Sequence, residues 1–460
     1  MKYNKERGVL LITSAFLITI ITGTAAVFLM RTIYEAKAVE REVDRVRAYC
    51  AAEAGLQGVL SEIGTQSYTG FVNTSGYGAL LLINGQQESA CNATVTDETS
   101  DFLIVQSTGT GNFISRSFEA RVFLDSNLSK YLVYASTSSF ASGDDAQYGE
   151  PMTDPDTGLV IVDENGRARV PEDAYDRAEM YFTGDWNING SNVDMYGDVY
   201  VGDDLNVTSG DDGDVYGDTF VTDQYNESGS LIVDDTYDDG VDKRTMTVDM
   251  QDTLSTIDLN FYASNNDIVA FGGASQSRYL EFVESADGTH TVVNEYNDRQ
   301  YSNFVESYDL PQAGVVYVNG DAYIKGTIKG RVSIVASDDI WIQDSLGYAN
   351  GLDHASESDA AAFLARDKLY FCGSNMDVSG IFYAERIASA DPAFDAAYDT
   401  NGNYNPNAKQ QLRIRGNRII NGTSNLSCYP DRAYIYDPYL KKFRAPGLPI
   451  TSVVSFVREI

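Results

Sequence analysis

The side chains best suited to chemistry in this chain are oxygen-rich and sit in turns. Asp211, Asp212 and Asp214 crowd around Gly213, and Asp399, Asn401 and Asn403 crowd around Gly402. Clustered oxygen ligands suit a hard cation, so the first set is a candidate Ca²⁺ site. Neither set follows the EF-hand order, because the glycine and the terminal glutamate are misplaced. Aspartate doublets also occur at Asp203-Asp204 and Asp338-Asp339. A glycan-cleaving centre needs two carboxyl groups facing each other across one bond. Neighbouring residues on a strand point to opposite faces, so a doublet is not such a pair. Aspartate in a turn also has a plain backbone role. With only His290 and His354, a His-rich zinc site is not expected. No GxSxG, P-loop or HExxH pattern is present. The chain therefore reads as a non-enzyme, with no cofactor beyond a candidate calcium ion. Of four cysteines, Cys372 and Cys428 are candidate disulfide partners, and Cys50 and Cys91 form a second candidate pair. Spacing alone leaves the connectivity open.

The elements that must carry these residues come from composition and patterning. The chain has 460 residues, 43% of them hydrophobic, enough for several domains with a large core. Its formal charge is −34, from 33 Lys+Arg against 67 Asp+Glu. Such a surface repels nucleic-acid phosphates, which excludes a nucleic-acid role. The acid concentrates between about residues 140 and 260, where it also fits a solvated exterior.

The N-terminus is a short basic leader, MKYNKERG, followed by an uncharged apolar run from Val9 to Met30. That run is about 22 residues, or roughly 33 Å of helix, enough to cross a bilayer. No small-residue signal-peptidase site follows it. Instead the pattern continues into a polar helix in which Val39, Val43, Val46, Cys50, Leu56 and Leu60 form an apolar stripe. Flanking charges are mixed: Arg31, Lys37, Arg41, Arg45 and Arg47 are offset by Glu35, Glu40, Glu42 and Asp44. A very short basic tail favours an N-terminus in the cytoplasm and the bulk of the chain outside.

A leader ending in Gly8, a membrane helix and an unbroken amphipathic extension resemble a type IV prepilin. RGVLLITSAFLI and AAEAGL are similar to segments of minor pilins of the PilX kind and of GspK-type tip pseudopilins. The resemblance covers Glu6 to Ile63. It implies cleavage by a prepilin peptidase between Gly8 and Val9. It also implies assembly with other pilins or pseudopilins. Major pilins of the family carry a glutamate at the fifth mature position, where this chain has Thr13. The glutamate neutralises a neighbour's amine in an apolar core, where an unpaired charge is costly. Thr13 therefore favours a tip or priming position over a repeated shaft position.

Downstream, CNATVTD, DFLIVQSTGTGNF and ISRSFEARVFL predict a three-strand meander turning at Thr108 to Gly111. Phe118, Ala120 and Val122 would face the helix. GLVIVDENGRARV predicts a hairpin at Asn165-Gly166. From Tyr181 short alternating strands repeat between Gly-Asp turns, and the texture returns from Gly314 to the end. Short strands of this kind bury their apolar faces only by stacking. The expected fold class is α+β: one N-terminal helix with a small sheet, then a mainly β body. A right-handed parallel β-helix is expected for that body, with an antiparallel sandwich or jelly roll as the alternative. Tyr436-Asp437-Pro438 and Pro446-Gly447-Leu448-Pro449 close a region resembling an uncharacterised bacterial domain that follows PilX-like N-termini.

The expected boundaries are a leader at 1–8, a membrane helix at 9–30 and an amphipathic helix at 31–64. A small β region at 65–135 and a polar linker with a hairpin at 136–178 follow. A solenoid-like domain fills 179–460, interrupted at about 236–300. The expected function is a structural minor pilin or pseudopilin in the bacterial inner membrane, displayed outside or on a pilus, and able to touch a glycan or other surface ligand. The alternatives are an anchored adhesin that never enters a filament and an anchored carbohydrate-active enzyme.

Overall fold

The computed structural model describes residues 3–65, 77–83, 86–98, 103–136, 139–142, 146–157, 159–162, 169–171, 178–188, 192–207, 214–223, 225–227, 232–233, 258–265, 269–272, 276–310, 313–351, 359–389, 410–426, 428–450 and 452–460. One long helix precedes a chain that is mostly strand. The chain divides into two compact units. The first comprises Met1–Thr65, Asn73–Phe123 and Val454–Ile460; the second comprises Gln66–Val72 and Leu124–Val453.

In the first unit, α1 (Tyr3–Thr65) packs on a sheet of β1 (Tyr77–Ile83), β2 (Gln86–Glu98), β3 (Leu103–Thr110) and β4 (Ser115–Asp125). These four strands pair antiparallel in sequence order. The last strand of the chain, Ser452–Glu459, forms the far edge beside β4. Arg458 pairs with Glu119 at 2.6 Å, Arg116 with Glu459 at 2.9 Å, and the Ile460 N–H donates to Ser117 O. The second unit is thus an insertion between two neighbouring strands of one sheet. This corrects the expected boundary at 179–460, because the chain's last strand lies too far away in sequence for local patterning to reveal its partner.

The sheet face is as expected: Phe118, Ala120 and Val122 are buried. The helix face is as expected only at Leu56, which is buried. Val39, Val43, Val46 and Cys50 are exposed. The face that packs carries Asp44, Ala48, Ala52, Leu56, Val59 and Ile63, at spacings of three and four. Small residues win here because the backbones approach closely. A side chain at Gly109 would overlap the Ala48 carbonyl and the Ala52 backbone. Gly109 therefore lies inside β3, and the turn itself is Gly111 to Ile114, closed by Gly111 N–H to Ile114 O at 2.8 Å. Ser107 Oγ, buried under the helix, donates to Ala52 O at 2.7 Å.

In the second unit the strands pair mostly in parallel, and most of them join into a closed barrel-like network. Three ladders run through it. The first stacks residues 269–271, 313–318, 331–336, 360–365, 381–384 and 417–420. It then continues without a break through 133–135, 178–182, 197–201 and 219–221. The second ladder stacks 278–282, 322–326, 340–342, 369–371, 386–388 and 423–425. Residues 139–142, 185–188, 205–207 and 225–227 form a matching four-strand sheet. The third ladder stacks 326–328, 346–348, 375–380, 411–415 and 431–435, then 146–149, 193–196, 214–215 and 232–233. The long strand Asn375–Ala388 bends through all three ladders in turn.

The stacking order differs from the chain order. The chain enters the stack in the middle, climbs to residue 233, and resumes at residue 269 from the opposite end. It climbs again until 417–420 meets 133–135. At this seam Asn417 Nδ2 donates to Tyr131 O at 2.5 Å, and Arg418 N–H donates to Leu132 O at 2.8 Å. The buried Arg418 guanidinium lies 3.6 Å from the centre of the Tyr434 ring, whose neighbour across the seam is Tyr148 at 4.8 Å. Burial raises the Tyr434 hydroxyl above its ordinary pKa, against the pull of Arg418.

These pairings replace the antiparallel sandwich held as the alternative. Antiparallel pairing in the second unit is confined, among its named strands, to Arg278–Glu284, Thr291–Tyr296 and Phe304–Asp309. The boundary at 135 also moves, because Val133–Ala135 belongs to the parallel stack. Residues 139–142 and 146–149 are strands in the stack rather than linker. The interruption at 236–300 is narrower than expected, since 269–271 and 278–282 are already stacked. The Asn165-Gly166 turn lies outside the described residues, although Arg169 N–H donates to Ile161 O beside it.

The repeated Gly-Asp texture now has a physical cause. Glycines 197, 380 and 416 lie where strands of the third ladder bend into the first. At Gly416 (φ +125°) a side chain would overlap the Gly380 carbonyl of the adjoining turn. Aspartates mark the following corner, between the first and second ladders. There Asp204 N–H donates to Asp185 Oδ1, and Asp339 N–H donates to Asp321 Oδ1.

Replacing Gly109 by valine should destabilise the first unit by about 1–3 kcal/mol, because it forces the helix off the sheet. Urea denaturation of the detergent-solubilised chain, followed by far-ultraviolet circular dichroism, measures the loss. Gly23→Ala, at a position with open space around it, should be neutral.

Candidate functional site

Two regions carry groups that sequence reasoning marked as functional. The first is the start of α1. Gly8 and Val9 both lie within the helix. From Val9 to Met30 the side chains are exposed to the last residue, Val9 being 62% and Leu10 74% exposed. The helix is long and apolar enough to cross a membrane. Its polar residues are satisfied internally. Thr13 Oγ1 donates to Val9 O at 2.9 Å, and Ser14, Thr19, Thr22 and Thr24 donate to carbonyls three or four residues back. A hydroxyl bonded in this way can enter hydrocarbon without an orphaned donor. The first charge after the run, Arg31, is paired with Glu35 at 2.9 Å one helical turn on.

Further along the same helix lies a residue whose role the sequence concealed. Asp44 counted only as one of four acids offsetting nearby basic residues. In the structure it is 2% exposed and points at the β3–β4 turn. Its two carboxylate oxygens accept the Asn112 and Phe113 N–H groups, each at 2.6 Å. Charge-assisted bonds of this kind are roughly twice as strong as neutral ones. The available signal was an acid four residues before Ala48, in line with Ala52.

The second region is the acidic corner of the parallel stack. Asp203, Asp204 and Asp223 bring carboxylate oxygens within 4.8 Å of one another, and so do Asp338, Asp339 and Asp367. Both are sets that could hold a hard cation. The two doublets noted in the sequence are therefore each joined by a third aspartate from the next turn, which spacing could not reveal. Asp339 Oδ1 also accepts the Lys368 N–H at 2.9 Å, so part of its capacity serves the backbone ladder. Burial, with the charges of Asp338 and Asp367 and against Lys368, pushes the Asp339 carboxyl up to about 7. Asp338 is raised by burial and by Asp321 and Asp367. Asp203 is raised by lost hydration, then by Asp185, Asp204 and Asp223.

The cation site expected at Asp211, Asp212 and Asp214, and the set at Asp399, Asn401 and Asn403, have side chains outside the described residues. No disulfide joins Cys372 to Cys428 or Cys50 to Cys91. Cys372 is buried with Tyr323, Trp341 and Tyr370, where stacking of successive turns rather than a partner thiol fills the space. Cys91 lies under α1 against Gly55, while Cys50 faces outward. Aromatic rings stack along the second ladder: Tyr279, Tyr323, Trp341 and Tyr370 follow one another with ring centres 4.0–5.4 Å apart.

No family model matches the chain, and no curated protein matches it. Among solved structures, the competence-associated pilin ComZ from Thermus thermophilus is similar over 90% of this chain and 97% of its own, at 12% identity. The TM-score is 0.24, too low to bear on fold or function.

Asp339 carries a prediction with a definite sign. Its folded carboxyl titrates above the ordinary value of 3.8. Its contribution is therefore complete below pH 3.8 and is lost as pH rises through about 7. The body should melt at lower temperature at pH 8 than at pH 5, and Asp339→Asn should reduce that difference. With solvent screening the effect is on the order of 1 kcal/mol, or roughly 2–4 °C in Tm. Calorimetry across that pH range tests it.

Proposed function

We propose that this chain is a type IV pilin-like minor subunit, a minor pilin or pseudopilin that acts through assembly rather than turnover. The observation that supports this best is the construction of α1. Its first half is an exposed apolar rod with every described hydroxyl satisfied, while its second half is held on an antiparallel sheet by small residues and Asp44. Such a helix suits storage in a bilayer followed by packing among similar helices. The exposed Val39, Val43 and Val46 extend that apolar surface beyond the membrane segment.

In this reading a prepilin peptidase cuts between Gly8 and Val9. The chain is a single-pass inner-membrane protein before assembly, with its bulk outside the cytoplasm. Thr13 and the large inserted body favour a tip or priming position, since a repeated shaft has little room for such a domain. The parallel ladders, in which Val316 pairs with Ile334 and Tyr181 with Tyr200, support reading the body as a β-solenoid. Its outer surface is the part available to a glycan or another surface ligand. An anchored adhesin outside any filament is the second reading. Thr13 favours it as well, because it removes the charge that pairs subunits.

The mature N-terminus decides between them. Mass spectrometry of protein from cells with and without the prepilin peptidase should show a start at Val9 only when the peptidase is present. Gly8→Leu should retain Met1 in both. A Met1 start for the unmodified chain in both strains would leave the static anchor.

A further inference from the structure

A lysine, an asparagine and a buried aspartate meet at one corner of the parallel stack, away from the acidic corner described above. Ile328 pairs with Tyr348 in adjoining turns; Lys329 follows the first directly, and Asn350 lies two residues beyond the second. Lys329 Nζ lies 2.7 Å from Asn350 Oδ1. With a carbonyl bond of about 1.2 Å, the amide carbon is within about 4 Å of the amine, close to reacting distance. Asp359, whose side chain is 1% exposed, places Oδ1 3.9 Å from the same amine. The Lys329 side chain is itself only 12% exposed.

The three groups are held by their backbones. Lys329 N–H donates to Thr291 Oγ1 at 2.7 Å, and that buried hydroxyl donates to Lys329 O at 2.6 Å. Asp359 accepts the Gly330 N–H at 2.7 Å and the Asn350 N–H at 3.2 Å. One carboxylate thus touches the residue after the lysine and the asparagine itself.

We propose that Lys329 and Asn350 join in an intramolecular isopeptide bond, with Asp359 as the proton carrier. Lys329 gives a proton to Asp359 and becomes a neutral amine. Its lone pair attacks Cγ of Asn350, forming the new C–N bond. The Asn350 Cγ–Nδ2 bond then breaks, and Nδ2 leaves as ammonia after taking the proton from Asp359. The second proton on the attacking nitrogen passes to the released ammonia as the tetrahedral adduct collapses, so Asp359 ends as the carboxylate it began as and the net change is loss of one ammonia from the chain, carried away as ammonium. No oxidant or other reactant is needed. The product staples two adjoining turns of the stack at one corner.

A competing reaction uses the same amide. Asn350 precedes Gly351, whose backbone nitrogen could attack Cγ to give a succinimide, also with loss of ammonia. Here the Gly351 N–H donates to Tyr348 O at 3.2 Å, which holds it away from that reaction.

Proteolysis of the full-length, detergent-solubilised chain followed by tandem mass spectrometry separates the two. The proposal expects a branched peptide joining Lys329 to Asn350, lighter than its two linear parts by one ammonia. Lys329→Arg and Asp359→Asn should each give linear peptides only. If Asp359→Asn fails to fold, Asn350→Ala, at an exposed position, supplies the unlinked control. Linear peptides at full mass in the unmodified chain would overturn the proposal. So would ammonia loss confined to a linear peptide containing Asn350, which marks the succinimide. The readout is independent of processing at Gly8.

Discussion

The parallel body depends on a stacking constraint: a short strand buries its apolar face only if another turn lies on each side of it. The chain meets this constraint in two runs that begin at different places and meet at one seam. Residues 133–135 would be an open edge without 417–420, and 146–149 would be open without 431–435. The seam is accordingly furnished with specific contacts. Asn417 reaches the Tyr131 carbonyl, and Arg418 lies buried against the Tyr434 ring beside Tyr148. An open parallel edge is a template for unwanted pairing, so closing it inside the molecule also guards against aggregation.

The same chain economy governs the first unit. Its sheet is completed by a strand that follows the whole body in sequence. The body is thereby tied to that sheet covalently at both of its ends. Within the unit, the helix is registered on the sheet by close approach at Gly109 and by the two bonds from Asp44 to the β3–β4 turn. The close approach excludes larger side chains, and the carboxylate rewards one rotation of the helix. Together they leave Val39, Val43 and Val46 on the outside. An amphipathic helix thus keeps an apolar surface exposed after it has packed.

The acidic corner illustrates how a repeated turn residue can acquire a second property. Aspartates here accept an N–H from the adjoining turn, as Asp185 does from Asp204, Asp321 from Asp339 and Asp339 from Lys368. Stacking then buries Asp339 and brings like charges beside it, and its carboxyl rises far above its ordinary range. The crowding follows from the repeat, and a cation would relieve it.

The sequence by itself determined what local chemistry can determine. The uncharged run from Val9 to Met30 is a helix because no proline interrupts it and an apolar segment must close its backbone bonds internally, and its length matches a bilayer. Alternation at Phe118, Ala120 and Val122 set which sheet face is buried. Gly-Asp spacing marked the corners of a stacked β body. What sequence could not disclose depends on partners far apart in the chain. The return of Ser452–Glu459 to β4, the seam of 417–420 on 133–135, and the third aspartate beside each doublet all join residues whose separation carries no periodic signal. The helix stripe was misjudged for a related reason. Hydropathy favours valine over alanine for burial, but the backbone distance between α1 and β3 decided for Ala48 and Ala52. The distance between packed elements is a tertiary quantity, and it settled which side chains had room.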